Sequence, residues 1–322
     1  MENIQYNALF SEIIQCQSKL KHSVFGEVYL KHFSYSEAGD IETKYFEYLD
    51  EAKFNSLPTY KQQEEYIIKE GLWNESDETD ILLQEQFLDS LKLNYSKEYL
   101  NSRRVQMKSS ITDAEIKLQS LRLRKESYMS KTAESFANQK TLNYKVSNSF
   151  FKDKKLTENI SENCDGSEYE EFIGLFYKAQ SRLGHDALKR LSISSVFTNL
   201  FYLIEDNIYQ FYGKPIIDLS NYQVDLFMWG RYFKHVLQEQ GNTIPQDVKN
   251  NPDKLINWID LRKNARDARV IDDEKSGNMS IVGAKKEDYE ILGLQITNNT
   301  NMNKKLKEKS ILTKEDLFAM DS

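Results

Sequence analysis

Few side chains in this sequence could do chemistry, and they are scattered. His185 stands beside Asp186 and could act as an acid or base, although Asp186 suits the N-cap of a helix better. His22, His32 and His235 lack metal-ligand spacing and read as ordinary surface or interface histidines. Cys164 precedes Asp165 in a polar stretch with no histidine nearby in sequence, which argues against a catalytic thiol. P-loop, dinucleotide glycine fingerprint, HExxH, paired CxxC and nucleophile elbow are all missing. The expectation is therefore a non-enzymatic chain with no catalytic, cofactor-binding or metal-binding residues.

Groups suited to holding a partner are easier to find. Arg262, Arg266 and Arg269 follow i, i+4, i+7 spacing, which lines three guanidinium groups along one helical face able to clamp carboxylates or phosphates. The alternative is a solvated face compensated by Asp260 and Asp267. Trp73, just after Gly71, could anchor another chain or pack locally onto the following helix. Near residue 310 a polar run, NKKLKEKS, delivers Ile311, Leu312, Leu317, Phe318 and Met320. Leu317 and Phe318 then read as anchors of a short amphipathic turn that docks on a partner or on this chain's own helical domain.

The elements that must position these groups are helical. Only 4 prolines and 12 glycines punctuate 322 residues, while tyrosine and phenylalanine number 19 and 17, which favours long uninterrupted elements. Mean hydropathy of -0.66 and the lack of an apolar span argue against a membrane protein. Two widely separated cysteines fit a reducing compartment, and the acidic N-terminus does not resemble an export signal. The net charge of -7 hides segregation: Glu37 to Asp89 holds 15 acids against 4 lysines, and Lys97 to Lys131 holds 9 bases against 4 acids.

The pattern predicts a mainly α fold. Residues 1–76 read as an acidic, mostly helical region with a short β element around Gly26. Residues 77–140 read as a long antiparallel helical hairpin, with Ile81, Leu88, Leu91 and Tyr95 facing Leu118, Leu121 and Tyr128, and a break at SSITDAE. Residues 141–168 look like a polar linker. Residues 169–270 form a compact helical domain, with one long central helix from Asp186 to Tyr212, and residues 271–322 a polar tail with short helices. Capping boxes are expected at Thr59/Gln62, at Thr112/Glu115 where the second hairpin helix would open, and at Ser220/Gln223, and a helix start at Asn251-Pro252.

In order, EEYIIKEGLWNESDETDI, the hairpin after it, DLFMWGRYFKHVL, NPDKLINWIDLRKNARD and GAKKEDYEILG resemble accessory proteins of the tail-assembly and baseplate region of contractile-tailed bacteriophages. The resemblance implies a virion component or assembly chaperone in the infected bacterial cytoplasm. Its partners would be other phage structural or assembly proteins or further copies of itself, with no cofactor and no membrane. No site residue carries over, because no family motif is matched. The second expectation is a nucleic-acid-associated factor using the basic hairpin segment or the Arg262, Arg266 and Arg269 face.

Overall fold

A computed structural model describes residues 3–161, 164, 166–204, 207–267, 285 and 288. In order these form α1 (Asn3–Gln15), β1 (Gln17–His22), β2 (Gly26–Lys31), α2 (Tyr35–Phe54), α3 (Tyr60–Lys69), α4 (Glu75–Lys97), α5 (Asn101–Met129), α6 (Ala133–Ser147), β3 (Phe150–Phe151) and α7 (Gly166–Arg182). They continue with α8 (His185–Ser192), α9 (Ser195–Phe201), α10 (Ile208–Tyr212), a 3-10 turn (Ile216–Asp218), α11 (Asn221–Gln240), α12 (Gln246–Lys249) and α13 (Pro252–Asp267). The fold is mainly α, with one small antiparallel sheet. Two compact units divide the chain: Met1–Glu65 with Met129–Pro252, and Tyr66–Tyr128 with Asp253–Ser322.

In the first unit β1 and β2 form a hairpin from Gln17↔Lys31 to His22↔Gly26, and β3 joins β2 at Tyr29↔Phe151 and Leu30↔Phe150. Gly26 takes φ +71°, a left-handed conformation that costs glycine nothing. Val28, Leu30, Val146, Phe150, Phe172 and Phe176 pack on the sheet. A second core joins α1, α8, α9 and α11 through Leu9, Ile13, Leu188, Leu191, Phe197, Phe201, Leu226 and Phe227. Here α11 comes so close that a Cβ on Gly230 would lie 2.6 Å from the Phe197 ring. Phe201 stacks on Phe197 at 4.9 Å between centroids and meets Phe227 edge-on at 5.2 Å.

Of the three expected capping boxes two form: Gln62 N–H donates to Thr59 Oγ1 while Gln62 Oε1 accepts from Thr59 N–H, and Ser220 and Gln223 pair likewise, whereas Thr112 and Glu115 lie inside one continuous helix. Several boundaries differ from expectation. The stretch 141–168 is no linker, because it carries the end of α6, strand β3 and the buried residues Val146, Ser149, Phe150 and Ser161. Its serines and asparagines bond backbone instead of water: Ser161 Oγ donates to the carbonyls of Val146 and Ser147, and Asn159 Nδ2 to that of Ser147. The expected long central helix is three short ones, α8, α9 and α10, interrupted where Ser194 Oγ folds back onto the Leu191 carbonyl and where Asn207 caps α10. Gly184, not Asp186, is the N-cap of α8.

In the second unit the turn of the helical hairpin lies at residues 98–100 and not at SSITDAE. Glu98 Oε1 accepts the N–H groups of Tyr99 and Leu100, closing that turn, while Thr112 sits mid-helix with its hydroxyl donating to the Lys108 carbonyl. With no acid in its own first turn, α5 is capped by Asp288, which accepts from Ser102 N–H at 3.0 Å and Ser102 Oγ at 2.7 Å.

Because Phe201 is fully buried among four aromatic rings, Phe201→Ala should cost about 3 to 5 kcal/mol. Chemical denaturation would read this as a lowered midpoint, against a control such as Leu203→Ala on an exposed side chain.

Candidate docking surface

The helices α4 and α5 run antiparallel, and their shared stripe follows a heptad. Ile81, Gln84, Leu88, Leu91 and Tyr95 face Arg104, Met107, Ile111, Ala114, Leu118, Leu121, Lys125 and Tyr128, all buried or half-buried. Register is pinned by Gln84 Nε2, which donates to the Ala114 carbonyl at 3.2 Å, and by ion pairs along one edge. Lys92 meets Glu115 at 2.8 Å, and seven residues back on α4 and seven forward on α5 Glu85 meets Arg122 at 2.7 Å. Glu78 with Lys125 at 3.0 Å and Asp77 with Arg124 at 3.2 Å close the far end.

The opposite edge has a different character. There α4 presents Leu83, Phe87, Ser90, Leu91 and Asn94, three turns without a charged side chain, and Leu83 and Phe87 are 57% and 51% exposed. The matching edge of α5 offers Met107, Ser110, Ala114 and Leu121 around Lys117, with Arg103 and Arg124 at the same heptad position toward its two ends. Large apolar side chains in water at consecutive turns of one helix are unfavourable unless something covers them. The sequence contained this row, but both residues lie one position off the heptad stripe and were hidden beside the stronger periodicity.

The residues expected to bind partners have mixed placements. Trp73 is only 1% exposed, so it is not an accessible anchor; local packing is what the structure has. Its Nε1–H donates to Glu78 at 2.9 Å, Tyr128 meets it edge-on and Arg124 lies over its ring. On α13, Arg262 is half-buried over Trp258 with its guanidinium 5.0 Å from the ring centroid, and burial together with the charge of Arg266 lowers its pKa. Arg266 is exposed on the same face. Asp260, expected to compensate that face, is committed elsewhere, to Arg104 at 3.1 Å. Arg269, Leu317 and Phe318 lie outside the described residues.

The basic segment is largely paired. Arg103, Arg104, Arg122, Arg124 and Lys125 each meet a carboxylate of the same unit. Such pairing reduces the uncompensated charge that phosphate backbones could neutralise. Arg104 is unusual: it occupies a stripe position, is buried, and stacks over Tyr95 at 4.3 Å, yet its Nε and Nη1 find no hydrogen-bond partner among the described residues. A buried polar group at one heptad position disfavours slipped registers at a cost in stability.

Contrary to the surface reading, His22 and His32 are buried. His22 organises the β1–β2 turn: its Nδ1 accepts from Val24 N–H at 3.2 Å and its Nε2 faces the Glu168 carbonyl at 3.2 Å. His32 Nε2 lies 2.9 Å from Ser18 Oγ, whose hydroxyl donates to Glu12 at 3.0 Å, and Arg182 pairs with that carboxylate. The hydroxyl proton points to Glu12, so Nε2 carries the hydrogen and Nδ1 is left without a partner among the described residues. Serine, not histidine, is the middle group, and Ser18 is fully buried, so this arrangement neither activates the hydroxyl nor admits a substrate to it. No group of three or more potential metal ligands occurs among the described residues, and no described helix is long and apolar enough to cross a membrane.

Comparison with protein-family models, curated proteins and solved structures finds no match.

Two predictions follow from the buried polar groups. Burial, helped by Arg182, holds His32 at a pKa of about 4, below its unfolded value of about 6.5. The unfolded chain therefore binds the extra proton first, so this contribution is complete above pH 6.5 and is lost as pH falls toward 4. At pH 5 the loss is about 2 kcal/mol. Glu12, whose pKa burial raises, works in the opposite direction at the acid end. Urea denaturation between pH 7.5 and 5 should show the decline, and His32→Gln should flatten it.

For the Arg104 pair, Asp260→Ala should destabilise by about 1 to 3 kcal/mol, because it strands a buried cation. Adding Arg104→Met should recover most of that loss in the same denaturation measurement.

Proposed function

We propose that this chain is a non-enzymatic structural or assembly protein that works through protein–protein contacts, with the α4/α5 hairpin as its contact arm. The observation that carries this reading is the uncharged row of Leu83, Phe87 and Leu91 on a helix pair whose other edge is closed by ion pairs. The sequence resemblance to tail and baseplate accessory proteins supports virion assembly in a bacteriophage-infected cell as the setting. The nucleic-acid reading is weaker, because most bases of the hairpin have carboxylate partners.

The test is a photo-crosslinking residue at position 83 or 87 of the full chain in infected cells, combined with filter binding to duplex DNA at two salt concentrations. Cross-links should reach protein, and DNA retention should be weak at both salts. Cross-links confined to nucleic acid, with steeply salt-dependent retention, would establish the second reading.

A further inference from the structure

We infer that the uncharged row of the hairpin is covered by this chain's own segment 311–320, which a partner must displace to reach it. This rests on the contact-arm reading and adds its regulation. Three observations carry it: where the described residues end, the length of chain that follows, and the chemistry at the end of that length.

The described residues end at Asp288, which is fixed to the hairpin. Its carboxylate accepts from Ser102 N–H and Oγ in the first turn of α5, so the chain after it sets out from the turn end of the helix pair. The pairs Lys92–Glu115 and Glu85–Arg122 place Phe87 level with residues between 115 and 122 of α5. That level is roughly 20 to 30 Å along the axis from Ser102, at 1.5 Å per residue. From Asp288 to Leu317 there are 29 residues, and a coil of that length spans on the order of 30 Å. A tether whose length matches the span holds its end near the target at an effective concentration on the order of millimolar. A second copy or an unattached protein has no such advantage.

The chemistry matches as well. Residues 297–310 are mostly polar, whereas Ile311, Leu312, Leu317, Phe318 and Met320 follow close together, in a segment too short to be a stable helix without a surface to pack on. Of the cations on the row's side of α5, Arg103 and Arg124 are paired with Glu98 and Asp77. Lys117 is exposed and has no carboxylate partner among the described residues. Glu315 and Asp316 directly precede Leu317, so one segment brings apolar side chains to Leu83 and Phe87 and acids to Lys117. A partner for the row then competes with a tethered occupant, and its apparent affinity falls with the fraction of chains whose row is open.

The experiment places a photo-crosslinking residue at position 87 of the purified full chain, held at about 1 μM, far below the effective concentration of a tethered segment. Mass spectrometry should find cross-links to residues 311–320 in a product of one chain's mass, with a yield independent of dilution. Leu317→Glu with Phe318→Glu should cut that yield about tenfold or more, and a probe at Leu123, on the opposite edge, should not reach the segment. Should a probe at position 87 disturb folding, one at Ser90 on the same row replaces it. Products only at twice the chain mass, no cross-link within 311–320, or a yield unchanged by the double variant overturn the proposal. In that case cross-links from position 87 to a different protein in infected cells would still uphold the contact-arm reading. Cross-links to 311–320 with none to another protein would keep the cover and remove that reading.

Discussion

A pair of helices can hide only one stripe of each from water, and the second unit is organised around that constraint. Every apolar group on α4 and α5 that misses the shared stripe must find another cover or stay wet. The stripe itself is weakly apolar: Gln84, Arg104 and Lys125 occupy positions that leucine would fill more favourably. What these polar groups supply is discrimination among registers, since a shift of one turn would separate Gln84 from the Ala114 carbonyl and Arg104 from both Tyr95 and Asp260. The ion-paired edge reinforces the same register. The pair is thus well specified along its length and incompletely buried around its circumference, a combination suited to an arm that presents a fixed surface.

Much of the fold was legible because its signals are local. Ser220/Gln223 and Thr59/Gln62 satisfy helix ends with groups three residues apart, and Gly71 stops α3 in a left-handed conformation. Where the sequence misled, a local signal lost to a distant partner. SSITDAE has the composition of a break, but in a 29-residue helix Ser110 and Thr112 simply return their hydroxyls to carbonyls one turn back. The real turn is closed by the Glu98 carboxylate, with Asn264 donating to the Ser96 and Glu98 carbonyls, and no composition rule would single out either residue. The polar run after α6 was folded rather than free because its side chains bond backbone carbonyls of their own neighbourhood, which hydropathy counts as exposure.

The candidate surface was legible only in part, for a related reason. Trp73 draws attention as a large aromatic residue beside a glycine, yet its indole N–H has a carboxylate and its ring has neighbours, so nothing of it remains to offer. Charge summed along the chain makes the basic segment look available, whereas its neutralisation occurs across the hairpin. Phe87 carries no periodic signal, because periodicity marks the residues that a helix buries and Phe87 is half-exposed beside that stripe.

The cap on α5 has a consequence in time. Ser102 receives its carboxylate from Asp288, 186 residues later in the chain, and Arg104 receives its own from Asp260, 156 residues later. During synthesis the hairpin is made long before either acid leaves the ribosome. Its second helix therefore waits for both acids with an uncapped first turn and an unmatched guanidinium.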